Sequence, residues 1–214
     1  MKIKSFIGGY DKNLSYVVWC NKTNYAAIID ASVKPDKMIN FIIKNNLIVK
    51  KMLITHSHGD HIYYIKDWIH FFNDLIMYGY DLKKYNYKNK IVKINNNEVI
   101  NIGNELITSI HTPGHYYDSL CFWNQDSKCI FTGDTVFVGR TGRVISERSS
   151  ISDLYNSIYN ILLKLPEETM IYPGHHYGHK KNISFKDNKS ISDFFNCKSE
   201  SEFINVMKNF EKNR

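Results

Sequence analysis

Short apolar runs rich in β-branched and aromatic residues open the chain at Lys2 to Ile7, Ser15 to Cys20 and Tyr25 to Asp30, divided by Gly8-Gly9 and by Asn21 to Asn24. Runs of this length bounded by Gly and Asn predict three strands in a meander. From Pro35 to about Asn45 the period changes: Met38, Phe41, Ile42 and, near the end, Leu47 fall on one helical stripe, with Pro35 suited to a helix start. A strand over 51–55 follows, then a polar loop, then a second helix predicted from His61 to about Asn73. Strands are predicted near 75–78, 91–94, 98–102 and 105–111, and Leu120 to Trp123 with Lys128 to Thr132 forms a hairpin. Ile151 to Leu165 returns to helical spacing, Thr169 to Tyr172 is a last strand, and Ser199 to Asn213 is a short amphipathic helix that uses Phe203, Ile204, Met207 and Phe210 to cover the core. This order places the chain in the α/β class, and 214 residues suit one domain over 1–214 with a short C-terminal helical extension.

The loop after the 51–55 strand carries the chemistry. Residues 56 to 61 read His-Ser-His-Gly-Asp-His. In extended backbone, side chains two apart point the same way, so His56 and His58 can converge on one ion while Asp60 and His61 turn toward a neighbour. Imidazole and carboxylate suit zinc, iron or manganese, and a site without thiolates leaves a position open for water, which favours catalysis over a structural clip. An accidental cluster in a surface turn is the alternative, and the strand-then-loop context argues against it. Three more segments end apolar runs with a ligand type: His115 in His-Thr-Pro-Gly-His, Asp134 in Phe-Thr-Gly-Asp-Thr and His175 in Tyr-Pro-Gly-His. His70 and His111 fall inside elements, where packing or hydrogen bonding accounts for them; His176 and His179 flank His175 as substitutes or substrate contacts.

Composition adds little to this. The net charge of +7 could suit an anionic substrate or nucleic acid, but the lysines are dispersed among asparagines and isoleucines. The densest basic stretch, Tyr80 to Lys93, holds five lysines with Tyr80, Tyr85 and Tyr87 interleaved; a solvated segment is preferred over a single-strand binding face. Cys20, Cys121, Cys129 and Cys197 form no Cys-x-x-Cys pair and are expected as buried thiols. Residues 1 to 8 begin a strand without a signal-peptide pattern, and no apolar run approaches the roughly 20 residues of a membrane span, so a cytoplasmic protein without membrane partners is expected.

The order and context of these four ligand segments resemble the metallo-β-lactamase fold hydrolases, and within them glyoxalase II, the hydroxyacylglutathione hydrolases, and their short relatives. Thr-Gly-Asp-Thr-Val-Phe at 132 to 137, Thr-Gly-Arg at 141 to 143, Leu165-Pro166 and Gly-His-His-Tyr at 174 to 177 carry the resemblance most specifically. It implies an αββα sandwich with two divalent metal ions at one edge of the sheets, zinc ahead of iron or manganese. It implies that His56, His58 and His115 hold the first metal, that Asp60, His61 and His175 hold the second, and that Asp134 bridges them, with Asp60 and Asp134 central to catalysis. A water shared by two such ions would be deprotonated near neutral pH and attack a thioester carbonyl. The substrate would be a small anionic thioester such as a hydroxyacyl-glutathione, with Arg143 and Tyr177 as its contacts.

Several positions depart from that pattern. Only 39 residues follow His175, so most of the basic C-terminal clamp of full-length glyoxalase II is expected to be missing. Ile145 stands where the family has a second tyrosine, Tyr63-Tyr64 where small residues are usual, and Tyr116-Tyr117 where threonine and glycine are common. Three rivals follow. An iron-dependent persulfide dioxygenase would use His56, His115 and Asp134 as a facial triad, although Val144-Ile145-Ser146 replaces its usual Thr-Asp-Phe. A two-metal nuclease would need an arm or insertion that is not visible, so nucleic acid is disfavoured as a partner. A non-catalytic metal-binding module would have no use for all seven ligand positions.

Overall fold

The computed structural model describes residues 1–82, 87 and 90–212. Part of the basic stretch Tyr80 to Lys93 therefore lies outside the described residues.

The first half of the chain builds one six-stranded sheet from β1 (Lys2–Gly8), β2 (Asn13–Trp19), β3 (Tyr25–Ile29), β4 (Ile48–Leu53), β5 (Ile76–Gly79) and β6 (Ile91–Lys93) in that spatial order. β1, β2 and β3 form the predicted antiparallel meander, while β3 to β6 run parallel. Parallel neighbours need a crossover, and α1 (Asp36–Lys44) and α2 (Ile65–Phe71) supply two of them. The second sheet has the order β12-β11-β10-β9-β8-β7, from β7 (Val99–Ile102), β8 (Glu105–His111), β9 (Leu120–Asn124), β10 (Cys129–Gly133), β11 (Met170–Pro173) and β12 (Ile183–Ser184). Only β10 and β11 are parallel there, joined through α3 (Ile151–Asn156). α4 (Phe185–Ser190) and α5 (Glu200–Lys212) complete the chain.

Strand alternation decides the layers. In β2 and β3, Val17 and Ile28 pack with Met38 and Ile42 of α1 and with Ile65 and Trp68 of α2. Their neighbours Tyr16, Val18, Ala27 and Ile29 face the other way, against Ile107, Phe122 and Phe131 of the second sheet. That sheet in turn presents Ile110, Cys121, Ile130 and Ile171 to Leu154, Phe203 and Met207 of its own helices. The result is helices, sheet, sheet, helices, the αββα order that the family resemblance implies. Each fully buried aliphatic or aromatic side chain in these layers contributes about 1.5–3 kcal/mol relative to exposure.

Two predicted helices differ in detail. The one expected from His61 starts as α2 at Ile65, because Gly59–His61 first forms a tight 3-10 turn whose His61 N–H bonds His58 O at 3.0 Å. The helix expected over 151–165 is regular only in α3; a wider π-type turn at Ser157–Ile161 and a 3-10 turn at Leu162–Lys164 follow. At the start of that wider turn the Ser157 hydroxyl donates to Pro113 O at 2.7 Å, which ties the helix to the loop carrying His115. β12 and α4 have no counterpart in the sequence prediction; Phe185 is their buried anchor.

The two sheets meet at one end. Leu14 N–H donates to Gly174 O and Leu120 N–H to Thr55 O, both at 2.7 Å. The parallel strands β3, β4, β10 and β11 all end there, so their following loops converge at the carboxyl ends of the strands, where open α/β sheets place ligands.

Candidate metal centre

All but one of the ligand-type side chains come from these loops. Thr55 to His61 leave β4, Asp134 follows β10, His175 follows β11, and His115 lies between β8 and β9. Asp30, the residue after β3, sits in the left-handed region at φ 57°, which Asp tolerates better than most residues. That turn aims its buried carboxylate at the β4 loop: Oδ1 accepts from Thr55 N–H at 2.7 Å, and Oδ2 accepts from the Thr55 hydroxyl at 2.7 Å and lies 2.8 Å from His61 Nδ1.

The inward atoms form two clusters. His56 Nε2 and His115 Nε2 each lie 3.0 Å from His58 Nδ1. His61 Nε2 lies 3.3 Å from His175 Nε2, which is itself 3.3 Å from Asp60 Oδ2. Asp134 stands between the clusters: Oδ1 is 3.2 Å from His61 Nε2, while Oδ2 is 3.3 Å from His175 Nε2 and 3.6 Å from His115 Nε2. Three overlapping donor sets result, His56/His58/His115, His56/His61/Asp134 and Asp60/His61/His175, each with its donor atoms within 4.8 Å of one another. The structure thus brings together all seven residues named from the sequence.

The outward ring nitrogens are pinned. His115 Nδ1 meets Arg143 O, His175 Nδ1 meets Asp11 O and His61 Nδ1 meets Asp30 Oδ2, each at 2.8 Å, and His56 Nδ1 lies 3.2 Å from the Thr55 hydroxyl. A ring N–H donated outward leaves a lone pair pointing inward, the arrangement that metal-binding histidines adopt. Two glycines permit the close approach. A Cβ on Gly174 would stand 2.3 Å from Asp134 Oδ1 and 2.7 Å from His61 Cε1, and one on Gly142 would stand 1.9 Å from Asp134 O and 2.9 Å from His115 Cβ.

Charge divides the centre. Burial, reinforced by neighbouring imidazoles, drives His56 well below the ordinary histidine range and His58 down to about 4, so both favour the neutral form that ligates metals. Around the second cluster burial would also disfavour charge, yet the carboxylates overcome it and raise His61, and His175 to about 10. Burial works against ionised Asp134 too, and the His61 and His175 charges hold its carboxyl well below the usual carboxylate range. Asp134 Oδ1 is buried without a hydrogen-bond partner. A buried carboxylate among imidazoles is costly unless positive charge is present, supplied by protonated imidazoles or by bound cations. This donor set fits divalent cations on that ground.

The centre forms the floor of a cavity of about 410 Å³, with His58, Asp60, His115, Asp134 and His175 on its wall. Arg143 and Tyr177 line the same cavity, but both already have partners. Arg143 makes a two-pronged ion pair with Glu211 of α5, Nε–Oε1 3.0 Å and Nη2–Oε2 2.9 Å. The Tyr177 hydroxyl donates to Asp11 Oδ2 at 2.6 Å, and its ring stacks on His175 at 4.9 Å between centroids.

Two residues of the site were not found from the sequence. Arg140 places its guanidinium 3.8 Å from the Tyr177 ring centroid, and Asn13, fully buried, donates through Nδ2 to Asp60 Oδ2 at 2.8 Å. Arg140 precedes the Thr-Gly-Arg motif by one residue, which is the only local signal it carried; Asn13 gave none. Asp11, through its backbone O, and Asp30, through its carboxylate, orient His175 and His61. Of the other histidines, exposed His70 is remote from the donor sets. His111 bonds Tyr117 O at 2.9 Å and stacks on Tyr80, and neither His176 nor exposed His179 joins a donor set. Among the tyrosine departures, Tyr116 packs its ring 4.2 Å from that of His58, whereas Tyr117 turns away to Asp81.

Comparison with known proteins agrees with this arrangement. Residues 8–175 match the family profile described as the metallo-beta-lactamase superfamily. The chain is 33% identical over 178 residues to a hydroxyacylglutathione hydrolase of Francisella tularensis subsp. novicida, spanning 83% of this chain and 68% of that one. It is 30% identical over 221 residues to a hydroxyacylglutathione hydrolase of Dictyostelium discoideum, spanning 92% and 77%. Among solved structures it is similar to ETHE1 from Myxococcus xanthus, with a TM-score of 0.86 and 25% identity over 98% of this chain and 91% of that one.

Proposed function

Because the chain belongs to the metallo-beta-lactamase superfamily, we propose that it is a dinuclear-metal hydrolase that cleaves a thioester of the hydroxyacyl-glutathione kind. The observation that carries this reading is a chain of three overlapping donor sets, with Asp134 within 3.6 Å of His61, His115 and His175, on the wall of a cavity that also holds two guanidinium groups. In this reading His56, His58 and His115 hold one ion, Asp60, His61 and His175 the other, and Asp134 serves both. Two divalent ions bound there would polarise the thioester carbonyl and acidify a water for attack, with zinc ahead of iron or manganese for this donor set.

The protein's own groups do the positioning. Asp30, Asp11 O and Arg143 O hold three imidazoles in one tautomer, and Asn13 orients the Asp60 carboxylate. Arg140 and Arg143 put positive charge where a thiol carrier with two carboxylates would lie, Arg143 by exchanging its Glu211 partner for a substrate carboxylate. No strong acid is needed at the leaving group, since a thiol pKa near 8.5 lets the thiolate depart unprotonated.

A second reading has one specific support. His56, His115 and Asp134, the triad of an iron-dependent persulfide dioxygenase, also lie together. The test is turnover of S-lactoylglutathione by metal-replete protein, with acyl thioesters of other thiols alongside. Hydrolysis of the glutathione thioester alone supports the first reading. Iron retention with oxygen uptake on a persulfide, and no thioester turnover, replaces it with the second.

A further inference from the structure

A second cavity, of about 290 Å³, adjoins the metal centre. It shares Asp60 and Tyr10 with the larger one and is otherwise walled by Gly9, Ser32, Tyr63 and Tyr64. The two cavities therefore adjoin at Asp60 and Tyr10, next to the centre where the scissile bond of a substrate would sit. Their chemistry differs. The larger cavity has Arg140 and Arg143; the smaller has three tyrosines and, among the described residues, no cation on its wall. Tyr63 and Tyr64 meet edge to face at 4.9 Å between centroids, and Tyr10 and Tyr63 are 97% and 73% exposed, so two of these rings give up apolar surface to solvent at the mouth. The Ser32 hydroxyl is buried on this wall without a hydrogen-bond partner.

Resting on the thioesterase reading, we propose that this cavity receives an aromatic acyl group, with the anionic thiol carrier in the larger cavity. Electrostatics sets the direction: Arg140 and Arg143, the groups that would pair with the carrier's carboxylates, line the larger cavity and not the smaller. Size favours an acyl group larger than lactoyl. At about 30 Å³ per water-sized unit, the cavity has room for roughly ten non-hydrogen atoms, whereas a lactoyl group has five. An aryl ring also matches the walls, since aromatic pairs prefer the offset and edge-to-face contacts that Tyr63 and Tyr64 already present.

The experiment compares S-(4-hydroxyphenylacetyl)glutathione with S-lactoylglutathione on metal-replete wild-type and Tyr63→Ala protein. Tyr63 is exposed, so its removal leaves the core untouched. The expected wild-type kcat/KM favours the aryl thioester by roughly tenfold, and Tyr63→Ala lowers that ratio by about threefold to tenfold, the range for one aromatic pair. A wild-type ratio of one or less, or a ratio that Tyr63→Ala leaves unchanged, overturns the proposal while the thioesterase reading stands. Failure of both thioesters to turn over sinks that reading instead. The cavity is then judged by calorimetry with S-(4-hydroxybenzyl)glutathione, a thioether that cannot be hydrolysed: weaker binding by Tyr63→Ala supports aryl occupancy, and equal binding overturns it.

Discussion

Replacing Asp30 by Asn tests how far the metal centre depends on a residue that points away from it. The carboxylate satisfies three donors, Thr55 N–H and the Thr55 hydroxyl at 2.7 Å and His61 Nδ1 at 2.8 Å. Asparagine is nearly isosteric but has one acceptor oxygen and one NH2 group. If the NH2 takes the Oδ2 position it faces the His61 Nδ1–H, and the imidazole must turn its proton inward and lose the lone pair aimed at the cluster. If it takes the Oδ1 position it opposes a backbone N–H that has no other partner. Either way a buried donor is stranded, at a cost of about 1.5–3 kcal/mol for a charge-assisted bond. For a chain of this size each kcal/mol lowers Tm by roughly 2–4 °C, and loss of such an orienting contact typically reduces metal affinity about 10- to 100-fold. Competition with a chromogenic chelator measures the affinity, and calorimetry of the chelator-treated protein measures the fold. An Asp30→Asn protein that binds metal within about twofold of wild type would refute the claim that Asp30 sets the His61 tautomer.

Further perturbations probe the other parts of the site. Asp134→Ala should abolish bound metal and thioester turnover together, read by elemental analysis and steady-state assay; a variant that kept turnover would end the dinuclear reading. Arg140→Ala and Arg143→Ala should each raise KM for anionic thioesters about tenfold with metal content and kcat unchanged, and Glu211→Gln should lower KM by releasing Arg143. Gly174→Ala should cost metal as well as stability, because its Cβ would fall 2.3 Å from Asp134 Oδ1; full metal occupancy by inductively coupled plasma analysis would contradict this. The chelator-treated protein should be most stable near pH 6.5. His58, depressed to about 4 when folded, favours the unfolded state as pH falls from 6.5 toward 4, and His175, raised to about 10, loses its contribution as pH climbs from 6.5 toward 10. Urea unfolding from pH 4 to 10 checks the maximum, and stability rising monotonically across that range would be the opposing result.

Much of this molecule was written in local order. Strand alternation in β2 and β3 already sorted Val17 and Ile28 from Tyr16 and Ile29, and the loop after β4 gathered His56, His58, Asp60 and His61 within six residues. Such features survive in sequence because side-chain direction repeats with a period that the chain itself carries. The tyrosines at 63 and 64 were visible as departures, but not the cavity they wall. What tertiary structure alone decided were contacts between residues that no period links: Asp11 O with His175 across 164 positions, Asn13 with Asp60 across 47, and Arg143 with Glu211 across 68. The wider turn at Ser157 and the delayed start of α2 belong with them, since each coincides with a bond into the site loops that propensity cannot anticipate. Ligand types lie at strand ends, where the sequence can be read residue by residue. Their tautomers, their shared carboxylate and the charge of the cavity depend on loops from both sheets meeting in space.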